Sequence, residues 1–208
     1  MPFPDALYVT CMPLHWIIRL AYNIESDDRM LGEPDWDRHA NYNITAKVAP
    51  SDVARFRNLN RIQWGVMLQA VLADRFRLKV HYKTKVRPVY MLVVAKGGPK
   101  LDSGEDEPPM MAMRKRGQMK CQNCQIDAMP MFLSQLVGST VLDNTGLTGH
   151  YDFTLHWVPE MPSETAPAGD SGPSIFTALR EQLGLKLEYR KAPVDVLVID
   201  RLEKLSPN

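Results

Sequence analysis

The chain has 208 residues and a net charge of +1. That length suits one large domain or two small ones, and so balanced a charge excludes a dedicated nucleic-acid binder, which carries a strong basic excess. No apolar run approaches the ~20 residues needed to span a bilayer, and three cysteines are too few for a disulfide framework.

Met1-Pro2-Phe3-Pro4-Asp5 lacks the positive and apolar regions of a signal peptide, so the chain as written reads as cytosolic. Residues 14–22 form an amphipathic helix, with Leu14, Ile17, Ile18 and Ala21 on one stripe and Pro13 in its first turn. Gly32-Glu33-Pro34-Asp35-Trp36-Asp37 is a loop. Residues 42–48 alternate as a half-buried strand with Tyr42, Ile44, Ala46 and Val48 on one face. Residues 59–75 form a helix whose Trp64, Met67, Leu68, Val71, Leu72 and Phe76 recur at helical spacing. Residues 78–82 and 89–95 read as two strands joined by the polar run Lys83-Thr84-Lys85-Val86-Arg87.

A linker at 98–118 follows, with an acidic cluster (Asp102, Glu105, Asp106, Glu107) and a basic one (Arg114, Lys115, Arg116). Residues 126–136 are a helix with Pro130 near its first turn. A short strand from Val141 runs into a tight turn ending at Gly149. Residues 151–157 are a strand with Tyr151, Phe153, Leu155 and Trp157 inward. After a Pro/Ser/Gly loop, Ser171 is placed to cap a helix carrying Ile175, Ala178, Leu179 and Leu183, with Pro173 at its first position. Residues 185–189 and 194–199 read as a closing hairpin.

Three blocks recur in order. Arg75-Phe76-Arg77-Leu78-Lys79-Val80-His81-Tyr82 answers Gln182-Leu183-Gly184-Leu185-Lys186-Leu187-Glu188-Tyr189. Pro88-Val89-Tyr90-Met91-Leu92-Val93-Val94 answers Pro193-Val194-Asp195-Val196-Leu197-Val198-Ile199, and Tyr42-Asn43-Ile44-Thr45 answers Tyr151-Asp152-Phe153-Thr154. The expected architecture is α+β: two pseudo-symmetric repeats, each helix-strand-helix-strand-strand, with helices packed on mostly antiparallel sheet. The expected boundaries are 1–97, a linker at 98–118, and 119–208, with a ligand cleft between the repeats.

Gly32-Glu33-Pro34-Asp35-Trp36, the run Leu72 to His81, the run Val93 to Leu101, the run Asp143 to Thr154, and Leu183-Gly184-Leu185-Lys186-Leu187 together resemble an uncharacterised family of soil-bacterial proteins. That family is abundant as paralogues and is sometimes fused to membrane sensor peptidases. The resemblance covers nearly the whole chain and implies no catalytic residues, since the family has no established activity. Its members often begin with a signal peptide or membrane anchor and then a strand before the first helix. The sequence shows neither the leader nor the strand before residue 14, so the resemblance implies a shortened member here, and a periplasmic or secreted location if the natural N-terminus is longer.

Several constellations offer chemistry. Cys121-Gln122-Asn123-Cys124 has the spacing of a redox or metal-binding pair, but lacks the second pair that a zinc site commonly uses. His150, Asp152 and His156 share one strand face. His150 and Asp152, about 7 Å apart, can share a metal or act as base and orienter, while His156 at about 20 Å cannot join them. Asp143 and Asp152 bracket a Gly-rich turn whose oxygens suit a hard divalent cation. The candidate bases are His15, His39, His81, His150 and His156, and His81 sits beside the polar connection.

The sequence thus favours a binding or interaction module of the bacterial cell envelope, with a small-molecule ligand or an envelope protein as partner. The rival is a small-molecule hydrolase for an ester or lactone, with or without a metal, built on His81, His150, Asp143 and Asp152. A C-x-x-C redox or metal protein is the third reading. An exposed sheet edge in the first half would permit a homodimer.

Overall fold

The computed structural model describes residues 2–3, 6–104, 108–115, 117–159 and 172–205. In chain order the elements are strands β1 (Pro2–Phe3) and β2 (Ala6–Pro13), helix α1 (Leu14–Tyr22), β3 (Met30–Leu31), β4 (Asn41–Lys47), α2 (Val53–Arg57), α3 (Arg61–Arg75) and β5 (Lys79–Val94). Then come β6 (Asp102–Ser103), β7 (Met110–Lys115), β8 (Gln118–Gln125), α4 (Met129–Val137), β9 (Val141–Asp143), β10 (His150–His156), α5 (Ile175–Gln182) and β11 (Leu185–Arg201). Helices on mixed sheets make this an α+β protein.

The chain divides into two compact units, residues 1–85 with 193–208, and residues 86–192. In the first, β1, β2 and β4 form an antiparallel sheet, and β3 pairs in parallel with β11 through Met30–Leu197 and Leu31–Val198. Leu14, Ile17 and Ile18 of α1 meet Leu68, Leu72 and Phe76 in its core. The two helices touch at Gly65, where an added Cβ would lie 2.6 Å from the Ala21 carbonyl oxygen. The same carbonyl accepts from Gln69 Nε2 at 2.8 Å. An Asn60/Gln63 capping box starts α3.

In the second unit, β6, β10, β8 and β7 form an antiparallel sheet in that order, and β9 pairs in parallel with β5. Met119, Leu133, Phe153, Leu155, Trp157 and Leu179 are in its core. Ser174 caps α5 by accepting from the Thr177 N–H; Ser171 lies outside the described residues.

Four differences from the sequence reading have physical reasons. The two expected hairpins are single strands of 16 and 17 residues, β5 and β11. Their polar middles run on as extended strand, so solvation, not a turn, is what Lys83–Arg87 and Arg190–Lys191 report. Each apolar end is explained by the core it enters: Leu78 and Val80 by the first core, Tyr90, Leu92 and Val94 by the second. A strand does precede the first helix, because residues 6–13 pair with β4. The 98–118 segment holds β6 and β7, which join the sheet of β10 and β8; Glu105, Asp106, Glu107 and Arg116 lie outside the described residues. Both sequence boundaries, at 97/98 and 118/119, fall inside the second unit.

Candidate functional site

His15 is the buried histidine; His39, His81, His150 and His156 are exposed. It stands on the first turn of α1, with Arg19 one turn later on the same face. The acidic partners come from the segment after the helix. Asp27 opens a 3₁₀ turn at Asp27–Arg29, and Asp37 and Arg38 close another at Asp35–Arg38. Glu33 lies between them, set by Gly32. That glycine takes φ +79°, and a Cβ on it would stand 2.6 Å from the Ile199 carbonyl oxygen. Only glycine meets both demands.

The geometry is dense. His15 Nδ1 lies 2.6 Å from Glu33 Oε1, and Nε2 lies 3.1 Å from Asp27 Oδ1. Arg38 donates to Asp27 Oδ2 at 3.1 Å and to Glu33 Oε2 at 2.8 Å. Arg19 Nη1 donates to Asp27 Oδ1 at 2.5 Å, and its other nitrogens donate to the Ile24 and Glu25 carbonyls. Arg19 also stacks over the half-exposed Trp16 at 4.4 Å. A neutral imidazole can donate to one carboxylate only, so two carboxylates favour the cation. Burial, the largest influence, pulls the His15 pKa down, but Glu33 and Asp27 outweigh it and raise the value. For Asp27, burial pushes upward, yet Arg38, His15 and Arg19 together hold the carboxyl below its ordinary value.

Asp37 is different. It is fully buried, and neither carboxylate oxygen has a hydrogen-bond partner. Burial and then the Glu33 charge push its pKa up to about 6, against an opposing pull from the His15 and Arg38 charges and, least, from the nearby Arg38 backbone N–H, which is not aligned for a hydrogen bond. One donor atom each from His15, Glu33 and Asp37 lie within 4.8 Å of one another. Buried polar groups almost always have partners, so an orphaned carboxylate facing an imidazole and a second carboxylate marks a place for a cation or a proton.

The other catalytic and metal candidates chosen from the sequence do not belong to this cluster. His81 pairs with Asp200 at 2.9 Å, both about half exposed, in the first unit. His150 and Asp152 lie in β10 of the second unit. Asp152 Oδ1 accepts from the Asn123 backbone N–H at 2.6 Å. Asp143 Oδ1 accepts from the Thr145 N–H, an Asx turn. Cys121 and Cys124 are joined as a disulfide and buried, a form with no thiolate to offer a metal. Cys11 is free and exposed. The sequence signal for the His15 cluster was a histidine and an arginine four apart on an apolar helix, followed by an acid-rich segment whose residues 32–37 read only as a loop.

The first unit also has an open groove of about 570 Å³ between β4 and α3, lined by Tyr42, Ile44, Ala46, Val71 and Phe76, with Asp74 and Arg75 among its polar residues. No helix among the described residues is long and apolar enough to cross a membrane.

Residues 15–202 match the model of a family described as a protein of unknown function (DUF3738). The match covers most of the chain, and the chain belongs to that family. No curated protein and no solved structure matches.

Proposed function

We propose that this member of a family of unknown function is a binding domain of the bacterial cell envelope, working outside the reducing cytosol. The observation that carries the reading is the Cys121–Cys124 disulfide, closed inside β8 with Cys121 only 1% exposed. Disulfides form and persist in oxidising compartments, and cytosolic thiols stay reduced. The groove between β4 and α3 has the size of a small-molecule site and a mostly apolar lining, which supports binding of a small ligand there. Asp152 and Asp143 are engaged by the backbone N–H groups of Asn123 and Thr145, local structural roles that support binding over hydrolysis at those residues.

The test combines cell fractionation with thiol alkylation of the native protein under denaturing conditions. The expected result is an envelope fraction in which Cys121 and Cys124 resist alkylation until reduced, and no turnover on ester, lactone and phosphoester panels. A cytosolic protein with both thiols free, or turnover abolished by one point substitution, would overturn it.

A further inference from the structure

We infer that His15, Glu33 and Asp37 bind one divalent transition-metal ion of the zinc class, through the imidazole Nδ1 and one oxygen of each carboxylate. This goes beyond the envelope-binding reading and stands without it.

Three observations carry it. The first is the donor set: one nitrogen and two oxygens within 4.8 Å of one another, contributed by α1, the Gly32 turn and the 3₁₀ turn at Asp35–Arg38. One imidazole with two carboxylates is a borderline set that suits Zn²⁺, Co²⁺ or Mn²⁺; hard Ca²⁺ takes oxygens alone. The second is Asp37, fully buried with both oxygens unpartnered, in the space that His15 and Glu33 share. A buried carboxylate without a donor is costly unless a cation or a proton meets it.

The third is the arrangement behind the imidazole. With Nδ1 on the metal, Nε2–H still donates to Asp27, 3.1 Å away. Asp27 is itself fixed by Arg19 and Arg38. A ligand histidine whose second nitrogen donates to an anchored carboxylate is the usual way proteins fix its tautomer and raise its basicity. Arg38 likewise holds the far oxygen of Glu33, leaving Oε1 toward the imidazole. Without metal, the His15 proton bridges the 2.6 Å gap between Nδ1 and Oε1; the entering ion takes its place, and that proton leaves to solvent. Three protein ligands leave a fourth position open to water.

The experiment titrates chelator-stripped full-length protein with Co²⁺ and then Zn²⁺, reading heat and visible absorption, and records the zinc X-ray absorption spectrum. The expected result is one ion per chain, Co²⁺ bands that Zn²⁺ abolishes, and a spectrum of nitrogen and oxygen donors without sulfur. Asp37→Asn and Glu33→Gln each weaken binding at least 100-fold while far-ultraviolet circular dichroism stays native, and His150→Ala binds as wild type. A wild-type protein that takes up no ion overturns the inference, as do sulfur donors in the spectrum or undiminished binding in both carboxylate variants. Should either variant unfold, the stoichiometry and donor types of the wild-type protein decide alone.

Discussion

The Asp152 carboxylate accepts a 2.6 Å hydrogen bond from the backbone N–H of Asn123. Asn123 takes φ +48°, and it stands where the register between β8 and β10 slips at a bulge. The first unit holds the same arrangement. Cys11, also at φ +48°, donates its N–H to Asn43 Oδ1 at 2.8 Å where β2 bulges against β4. Asn43 and Asp152 are the matched residues of Tyr42-Asn43-Ile44-Thr45 and Tyr151-Asp152-Phe153-Thr154. The side chain at this position satisfies a backbone donor that the bulge leaves out of the ladder.

That relationship predicts a ranking. Asp152→Ala leaves the Asn123 N–H without its acceptor and costs about 1–3 kcal/mol. Asp152→Asn keeps an acceptor oxygen, as Asn43 does, and costs well under half as much. Urea denaturation of the two variants measures the difference. Equal losses would mean that the charge, and not the bulge, is what the position needs.

Gly65 is the second test. Glycine in the middle of a helix is unfavourable by ~1 kcal/mol relative to alanine, so Gly65→Ala on α3 would stabilise an isolated helix. In the protein its Cβ meets the Ala21 carbonyl oxygen at 2.6 Å, and forced overpacking costs ~1–3 kcal/mol. The net expectation is a loss of up to about 2 kcal/mol in chemical denaturation. A gain would show that α1 and α3 part without penalty.

The elements legible in the sequence were those with an unbroken period. Leu14, Ile17, Ile18 and Ala21 are all buried on α1, and Phe153 and Leu155 of β10 are buried together with Trp157, the residue just after the strand. The long strands were not legible, because polar residues between two apolar runs look like a turn whether or not the chain reverses. Lys83 to Arg87 are polar since they lie between the segments of β5 that enter two separate cores. The site was harder still. His15 and Asp37 are 22 positions apart and converge only because Gly32 turns the chain against Ile199. Nothing in local spacing encodes that approach. Asp152 was legible as a residue on the polar face of its strand, but its tie to Asn123 depends on a bulge that no alternation pattern reveals.

The Cys121–Cys124 disulfide closes a loop of three-residue separation. Loop-closure entropy assigns so short a link about 2 kcal/mol. Replacing both cysteines by alanine is expected to lower stability by that amount and by a further ~1–2 kcal/mol, because both side chains are core residues of the second unit. The measurement is guanidinium denaturation of the double variant against the oxidised protein. An unchanged midpoint would mean that the disulfide constrains nothing the fold does not already hold.

The metal-free His15 cluster makes stability depend on pH in a direction that can be worked out. Asp37 has its pKa raised from 3.8 to about 6 by burial and by Glu33. A raised carboxyl holds its proton better in the folded chain, so stability falls as pH climbs from about 4 to about 6, and the penalty is complete above that. The two-unit gap corresponds to roughly 3 kcal/mol at most. His15 acts in the same sense at higher pH: its raised value gives stability that is full below 6.5 and lost as pH rises through the folded-state pKa. Asp27 opposes both, since a lowered carboxyl gives stability present above the ordinary value and lost as pH falls through the lowered one. Arg38, its value raised further by Asp27 and Glu33, stays charged throughout and sets no slope. In chelator, Asp37→Asn removes the first contribution alone. The variant is expected to be more stable than wild type by up to roughly 3 kcal/mol at pH 7.5 and equal to it near pH 3.5. Urea denaturation of both proteins at a series of pH values reads the effect. A variant less stable at pH 7.5, or a difference that does not change between pH 4 and 6, would show that the Asp37 carboxylate is met by a donor in the folded protein, and the case for a cation in that place would fall with it.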